Sequence, residues 1–291
     1  MSRWSESGVL DRCEHLRRDD DWVADQWSST TALLLAVDDA GQVSVEHGEV
    51  LALPTRRPQG AFEPQRHFLL GLAEGRAVFV EAGETDSMAS LRDLMPALDA
   101  GDCELVVTAV ALVNWHRTSP YCARCGALTV VTEAGLVRHC PACGRYRFPR
   151  SDPAIIVAVL DGDDRLLLGH QVVWPAGRVS ILAGFVSAGE SLEQAVHREV
   201  GEESGLRLSA VRYLSSQPWP FPRSLMLGFV ARSTGTDVVV DGVEIEHARW
   251  FTRAELTAAE ESGEVLLPGW ASIASRIIAS WRAGTLPAPE G

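Results

Sequence analysis

Lysine is missing from the chain: all 26 basic side chains among its 291 residues are arginine. Without lysine there is no P-loop NTPase chemistry, no Schiff base and no lysine-activated nucleophile. Long apolar runs are missing too. The longest uncharged apolar stretch, Leu105 to Trp115, falls well short of the ~20 residues that cross a bilayer, so no membrane partner is expected. The opening MSRWSESG lacks the apolar core of a signal peptide, which points to a cytoplasmic protein. Positive charge is scarce: 26 cations face 39 acids, net −13, and such a body repels phosphate backbones in general. Six cysteines in a chain of this kind do not read as a disulfide framework. What remains, 46% hydrophobic and 22% charged, is the balance of a globular protein and excludes a fibre or a largely disordered chain. The length suits two domains, or one with an appendage.

Composition divides the chain into residues 1–117, 118–150 and 151–285. In the first segment, Thr31 to Val37 and Val43 to Glu46 flank a turn at Asp38 to Gly41 and read as a hairpin. Ala77 to Glu81 reads as a strand, while Ser87 to Met95 and Glu104 to His116 read as helices. The middle segment holds four Cys, five Arg and a single acid, Glu133. In the last segment Ala154 to Leu160 and Arg165 to Gly169 form a hairpin, followed by a short strand at Val179 to Leu182. A helix spans Leu192 to Ser204, and Leu208 to Ser215 and Leu225 to Ala231 look extended. Thr252 and Glu255 make a capping box that opens another helix. Trp270 to Trp281 is an amphipathic last helix, and the tail LPAPEG reads as frayed.

The helix at Leu192 carries acids where a core face belongs. Ser191 and Gln194 cap its start and Gly205 stands where a left-handed residue ends it. Leu192, Ala195, Val196 and Val200 form an apolar stripe. At ~100° per residue, Glu199 and Glu203 project into the middle of that stripe and Glu202 sits at its edge. Three carboxylates at i, i+3 and i+4 converge within about 5–6 Å, repel one another and face the wrong end of the helix dipole. A divalent cation explains them, and hard oxygen ligands without Cys or His point to Mg²⁺ or Mn²⁺. The alternative is an exposed acidic helix end; the stripe geometry and the flanking glycines count against it.

Two further motifs stand out. Cys122, Cys125, Cys140 and Cys143 are spaced C-x2-C-x14-C-x2-C, two knuckles that supply four thiolates to a tetrahedral, structural Zn²⁺. Cys13 and Cys103 lack partners at metal spacing. The arginines beside the knuckles are either solvated or turned to a phosphate-bearing ligand. Downstream, Ser216 to Met226 places prolines at 218, 220 and 222, which predicts a rigid extended segment presenting Trp219 and Phe221. Those flat rings suit a heteroaromatic base; taken alone, a Pro-rich loop packed over the core is an equal reading.

The stretch Gly184 to Leu206 resembles the Nudix box, G-x5-E-x7-R-E-U-x-E-E-x-G-U, at Gly184, Glu190, Arg198, Glu199, Val200, Glu202, Glu203, Gly205 and Leu206. The segment Gln217, Pro218, Trp219, Pro220, Phe221, Pro222, Arg223, Ser224 looks like the second marker of the NADH pyrophosphatase group, the NAD-capped-RNA hydrolases. That group carries a zinc ribbon just before its Nudix domain, in the order found here. Asn114 to Arg117 is also similar. The resemblance implies an α/β Nudix fold: an α/β/α sandwich with a mixed sheet at 151–285, a zinc ribbon at 118–150, and a degenerate Nudix-like domain without a box at 1–117. It implies metal contacts at Glu199, Glu203, Glu244 and the Ala183 carbonyl, and catalytic roles for Glu202 and for Arg198, which would orient the box acids. It further implies stacking by Phe185, a pocket lined by Gln217 to Ser224, and substrate contacts at Arg92, Ala274 and Phe148. The chain departs from the group in having Phe148 in place of tyrosine, and His247 where a second acid often follows Glu244.

The implied activity is Mg²⁺- or Mn²⁺-dependent hydrolysis of the pyrophosphate of NAD(H) to NMN(H) and AMP, by a homodimer. Two rivals stand beside it. One keeps the chemistry but takes the NAD cap of RNA as substrate. The other is a nucleic-acid-binding zinc-ribbon regulator whose Nudix domain is inactive, which the intact box opposes.

Overall fold

The computed structural model describes residues 7–46, 53, 56–269 and 271–290. It falls into two compact units: one holds Asp152–Pro218 and the chain from Ser224 onward, the other runs up to Ser151 and takes in Trp219–Arg223.

The latter unit contains β1 (Leu10–Asp11), α1 (Asp20–Ser28), β2 (Leu33–Val37), β3 (Gln42–Ser44), β4 (His67–Ala73), β5 (Arg76–Ala82), β6 (Met88–Ser90), α2 (Leu91–Leu94) and α3 (Ala100–Thr118). Its six-stranded sheet runs β1-β4-β5-β2-β3-β6, with β2 parallel to β5 and the other pairs antiparallel. α3 buries the long apolar run read from the sequence. A small antiparallel ribbon follows, made of β7 (Val130–Thr132), β8 (Val137–His139) and β9 (Tyr146–Arg147).

The other unit contains β10 (Asp152–Leu160), β11 (Leu166–Gln171), β12 (Leu182–Phe185), α4 (Leu192–Ser204), β13 (Leu208–Trp219), β14 (Ser224–Ser233), β15 (Ile245–Phe251), α5 (Arg253–Glu261) and α6 (Ile273–Arg282). Its mixed sheet is ordered β13-β14-β10-β11-β15, with β12 also on β10. The continuous apolar run of β10 is the sign of a strand covered on both faces. Ile155, Val157 and Val159 pack with Ala195, Val196 and Val200 of α4. The alternate residues Ile156, Ala158 and Leu160 pack with Leu256 of α5 and Ile273, Ile277 and Trp281 of α6. A period of two thus divides one strand between two cores, giving the α/β/α sandwich.

Local readings differ in places. The helix expected from Ser87 is strand β6 on the edge of β3, then one helical turn, because Ser90 caps it by accepting from the Arg92 amide. The strand expected at Val179 falls later, at β12; Ser180 makes only a bridge to Gly169. The last helix starts after its cap, Ser272, and the expected start at Trp270 lies outside the described residues. The tail is not frayed: Glu290 pairs with Arg232 at 2.8 Å, Ala288 accepts from Arg212, and Leu286 packs on the core. Strands β1 and β4 and helix α1 carry no motif that the sequence reading used.

Trp281 is fully buried and its indole donates to the Asp164 carbonyl at 3.0 Å. Trp281→Ala therefore costs about 3–5 kcal/mol, measured as a lowered denaturation midpoint.

Candidate functional site

α4 forms as the sequence dictates. Ser191 and Gln194 make the reciprocal capping box, and Gly205 ends the helix at φ 70°. Its apolar stripe docks on β10 and carries two acids in with it: Glu199 is 8% exposed and Glu203 only 2%, while Glu202 points to solvent from the rim.

The acids differ in what meets them. Arg198 reaches both oxygens of Glu190 (2.8 and 2.9 Å), Glu199 (2.8 Å), Glu202 (3.0 Å) and the Phe185 carbonyl (2.9 Å). One guanidinium thereby ties the loop after β12 to the helix, as only a five-donor fork can. Glu190 also accepts the Ser187 amide, and these hydrogen bonds hold its carboxyl below the usual range. Gly184 lies so close to Glu199 that an added Cβ would sit 2.0 Å from its carboxyl carbon.

Glu203 has no such partner. Both its carboxylate oxygens are buried without a hydrogen bond. Burial first, then the charges of Glu199, Glu244, Asp241 and Glu202, push it up to about 8. Burial likewise raises Glu199, although Arg198 opposes this.

Glu244 precedes β15 on a loop that the sequence motifs did not explain. Asp241 organises it by accepting the amides of Val243, Glu244 and Ile245, which lowers the Asp241 carboxyl. The dipeptide Asp241-Gly242 is the signal that could have found it. His247 stacks on His170 at 4.7 Å and Glu246 lies 3.4 Å from that ring. Ala183 pairs with Ile156 in β12, and Phe185 is exposed. The orphaned oxygens of Glu203 and the hard, all-oxygen set fit a divalent cation. Among the described residues, though, these carboxylates do not close to the mutual spacing that the four Cys sulfurs reach.

The proline segment is corrected. Extended backbone ends at Trp219, and Pro220 to Arg223 form a turn into β14, with the Phe221 amide bonded to the Trp219 carbonyl. Gln217 is buried; its amide nitrogen bonds the Ala271 carbonyl at 2.9 Å and its oxygen is unpartnered. Ser224 and Ala274 are buried, the latter in the core beside Ile273 and Ile277. In the other unit, Trp219 and Phe221 meet edge to face at 5.0 Å, and the Arg92 guanidinium lies 4.4 Å from the Phe221 ring and 5.6 Å from Trp219. Asn114 holds the turn by donating to the Pro220 carbonyl. Phe148 is exposed.

The four zinc-ribbon sulfurs lie within 4.8 Å of one another, a cradle of the right donors and size for a tetrahedral ion. Gly126 and Gly144 take φ of 73° and 71° after each knuckle. Backbone amides of Arg124 and Cys125 draw the Cys122 thiol down to about 6, toward the thiolate that binds metal. No cysteine is in a disulfide.

Residues 150–268 match the NUDIX domain and residues 117–145 the NADH pyrophosphatase zinc ribbon domain. The chain is 42% identical to the NAD-capped RNA hydrolase NudC of Mycobacterium bovis, over 94% of this chain and 92% of that one. It is 38% identical to the human NAD-capped RNA hydrolase NUDT12, over 64% of this chain and 44% of that one. Among solved structures, a NUDIX hydrolase from Nitrosomonas europaea aligns with 58% of this chain and 94% of its own at 20% identity and a TM-score of 0.41.

Glu203 sets a pH-dependent cost. Its native carboxyl titrates near 8 against an ordinary 4.5. The native state therefore keeps the extra proton between those values, and stability of the metal-free protein falls as pH rises through that window. Glu203→Gln should stabilise the metal-free protein at pH 9 by at most about 5 kcal/mol, read as a raised melting temperature, and give little at pH 5. Divalent cations should raise the melting temperature of the wild type far more than that of the variant. Gly184→Ala should displace Glu199 and weaken Mn²⁺ affinity in a calorimetric titration by about tenfold or more.

Proposed function

The chain belongs to the zinc-ribbon Nudix hydrolases, and from that premise we propose that it hydrolyses the pyrophosphate of NAD(H) to NMN(H) and AMP. Glu203 carries this reading: a buried carboxylate with both oxygens unpartnered makes sense as a ligand to a cation. Glu199, Glu203, Glu244 and the Ala183 carbonyl would hold Mg²⁺ or Mn²⁺. Held by these groups, such an ion would supply positive charge to the pyrophosphate and a lowered pKa to an attacking water.

The chain's own groups do the rest. Arg198 fixes the loop so that Phe185 stays exposed, available to stack on the nicotinamide. Trp219 and Phe221, backed by Arg92, offer flat faces to a base. Gln217 has a buried acceptor still unused. Glu202 is the box acid that stays solvated on the rim, bonded to Arg198. Zinc serves the ribbon's structure, since four thiolates leave no open position. We further read residues 1–117, 118–150 and 151–285 as three domains, the first derived from a Nudix fold, in a cytoplasmic homodimer. Six free thiols accord with a reducing compartment, and among the described residues no helix is long and apolar enough to cross a membrane.

The second reading is hydrolysis of the NAD cap of RNA, favoured by the names of the relatives. The bond broken is the same. The test is product analysis with NADH, ADP-ribose and an NAD-capped oligonucleotide, with and without divalent metal. Metal-dependent release of AMP and NMNH from NADH is the expected result, and its absence with every substrate refutes the reading. Glu203→Gln should lower kcat by at least about 100-fold while the circular dichroism spectrum is unchanged.

A further inference from the structure

Four ribbon arginines, Arg124, Arg145, Arg147 and Arg150, line one open cavity of about 510 Å³ with Tyr146 and the Cys122 knuckle, and no acid lines it. Arg124, Arg145 and Arg150 are exposed, and among the described residues their side chains have no hydrogen bond or ion pair. The ribbon's single acid, Glu133, is turned away to Arg18, 3.0 Å from it. In a chain with 39 acids, a cation cluster left without counter-charge runs against composition. Tyr121, Tyr146 and Phe148 are all exposed around it. Guanidinium groups beside exposed rings, Tyr146 with His139 packed against it at 4.8 Å, form a surface that takes phosphates on one set of groups and stacked bases on the other.

We propose that this ribbon surface binds the single-stranded RNA that follows an NAD cap, with phosphates on Arg124, Arg145 and Arg150 and a base on Tyr146. This rests on the NAD-cap reading above for its substrate. The overall negative charge disfavours nucleic acid on the protein as a whole, which sets the unpaired ribbon cations apart.

The test uses the full-length protein with its zinc. For the wild type, KM for a capped twelve-nucleotide RNA should climb with NaCl, at a log–log slope of about 0.7 per phosphate contact, while KM for NADH stays nearly flat. The triple variant Arg124→Gln, Arg145→Gln, Arg150→Gln should raise KM for capped RNA about tenfold and flatten that slope by about 2, with kcat/KM on NADH within about twofold. Replacing the same three residues by Lys should restore most of the affinity. Anisotropy of a labelled, uncapped twelve-nucleotide RNA should show the same loss without turnover. Unchanged KM, slope and anisotropy overturn the proposal. So does an equal loss on NADH, which marks a small-molecule pocket, or dissociation into monomers with RNA binding intact, which marks an interface between copies. Should the triple Gln variant misfold, the single variants Arg124→Gln and Arg150→Gln decide, each expected to lower the wild-type salt slope by about 0.7; an unchanged slope in both overturns the proposal. A wild type that binds RNA through these arginines but cleaves neither substrate sinks the hydrolase reading and leaves this one standing; NADH cleavage without RNA binding does the reverse.

Discussion

Burial of Glu203 is the constraint around which the catalytic half is arranged. Removing a lone carboxylate from water costs several kcal/mol, against a total folding stability of about 5–15. Neighbouring Glu199, Glu244, Asp241 and Glu202 add repulsion. Only two events remove that cost: the group takes a proton, or a cation arrives. The first is why its carboxyl titrates near 8. The second turns a liability of the bare protein into affinity for metal, because binding then returns what folding lost.

The surrounding structure keeps that cost from being relaxed away. Arg198 has enough donors to satisfy Glu190, Glu199 and Glu202 together, yet makes no bond to Glu203. Gly184 lets the strand approach Glu199 closely enough to bury it. β10, packed on both faces, gives α4 a rigid floor, so the helix cannot roll its acids outward without exposing Val196 and Val200. Sequence, packing and charge therefore fix one geometry with one group unsatisfied, and that group marks the chemistry.

Legibility followed the range of the interactions. α4 was readable to the residue because its cap, stripe and glycine stop are all local, and the buried positions of Glu199 and Glu203 followed from angle alone. The ribbon cysteines were readable because knuckle spacing is a local code. Asp241 was passed over because its role lies in three backbone amides and not in any motif. The segment from Ser87 misled because three residues of apolar pattern fit a strand edge as well as a helix, and the pairing with β3 decided it. The proline segment misled differently: proline fixes φ but leaves ψ free, so it permits a turn where an extended run was read. The tail misled because the ion pair between Glu290 and Arg232 joins residues 58 apart in sequence.

The missing lysine gains meaning when arginine is followed site by site. Arg198 bonds four partners at once, Arg17 donates to three carbonyls, two of them buried, and Arg92 lies over two rings. Each needs a planar fork, and an ammonium would leave buried acceptors orphaned or lose the stacking face. Those positions require arginine. The ribbon cluster does not: charge alone holds a phosphate, and nothing in its surroundings demands five donors. The distinction is physical, since a site that uses only charge tolerates lysine, whereas one that also stacks guanidinium on a base loses affinity with it.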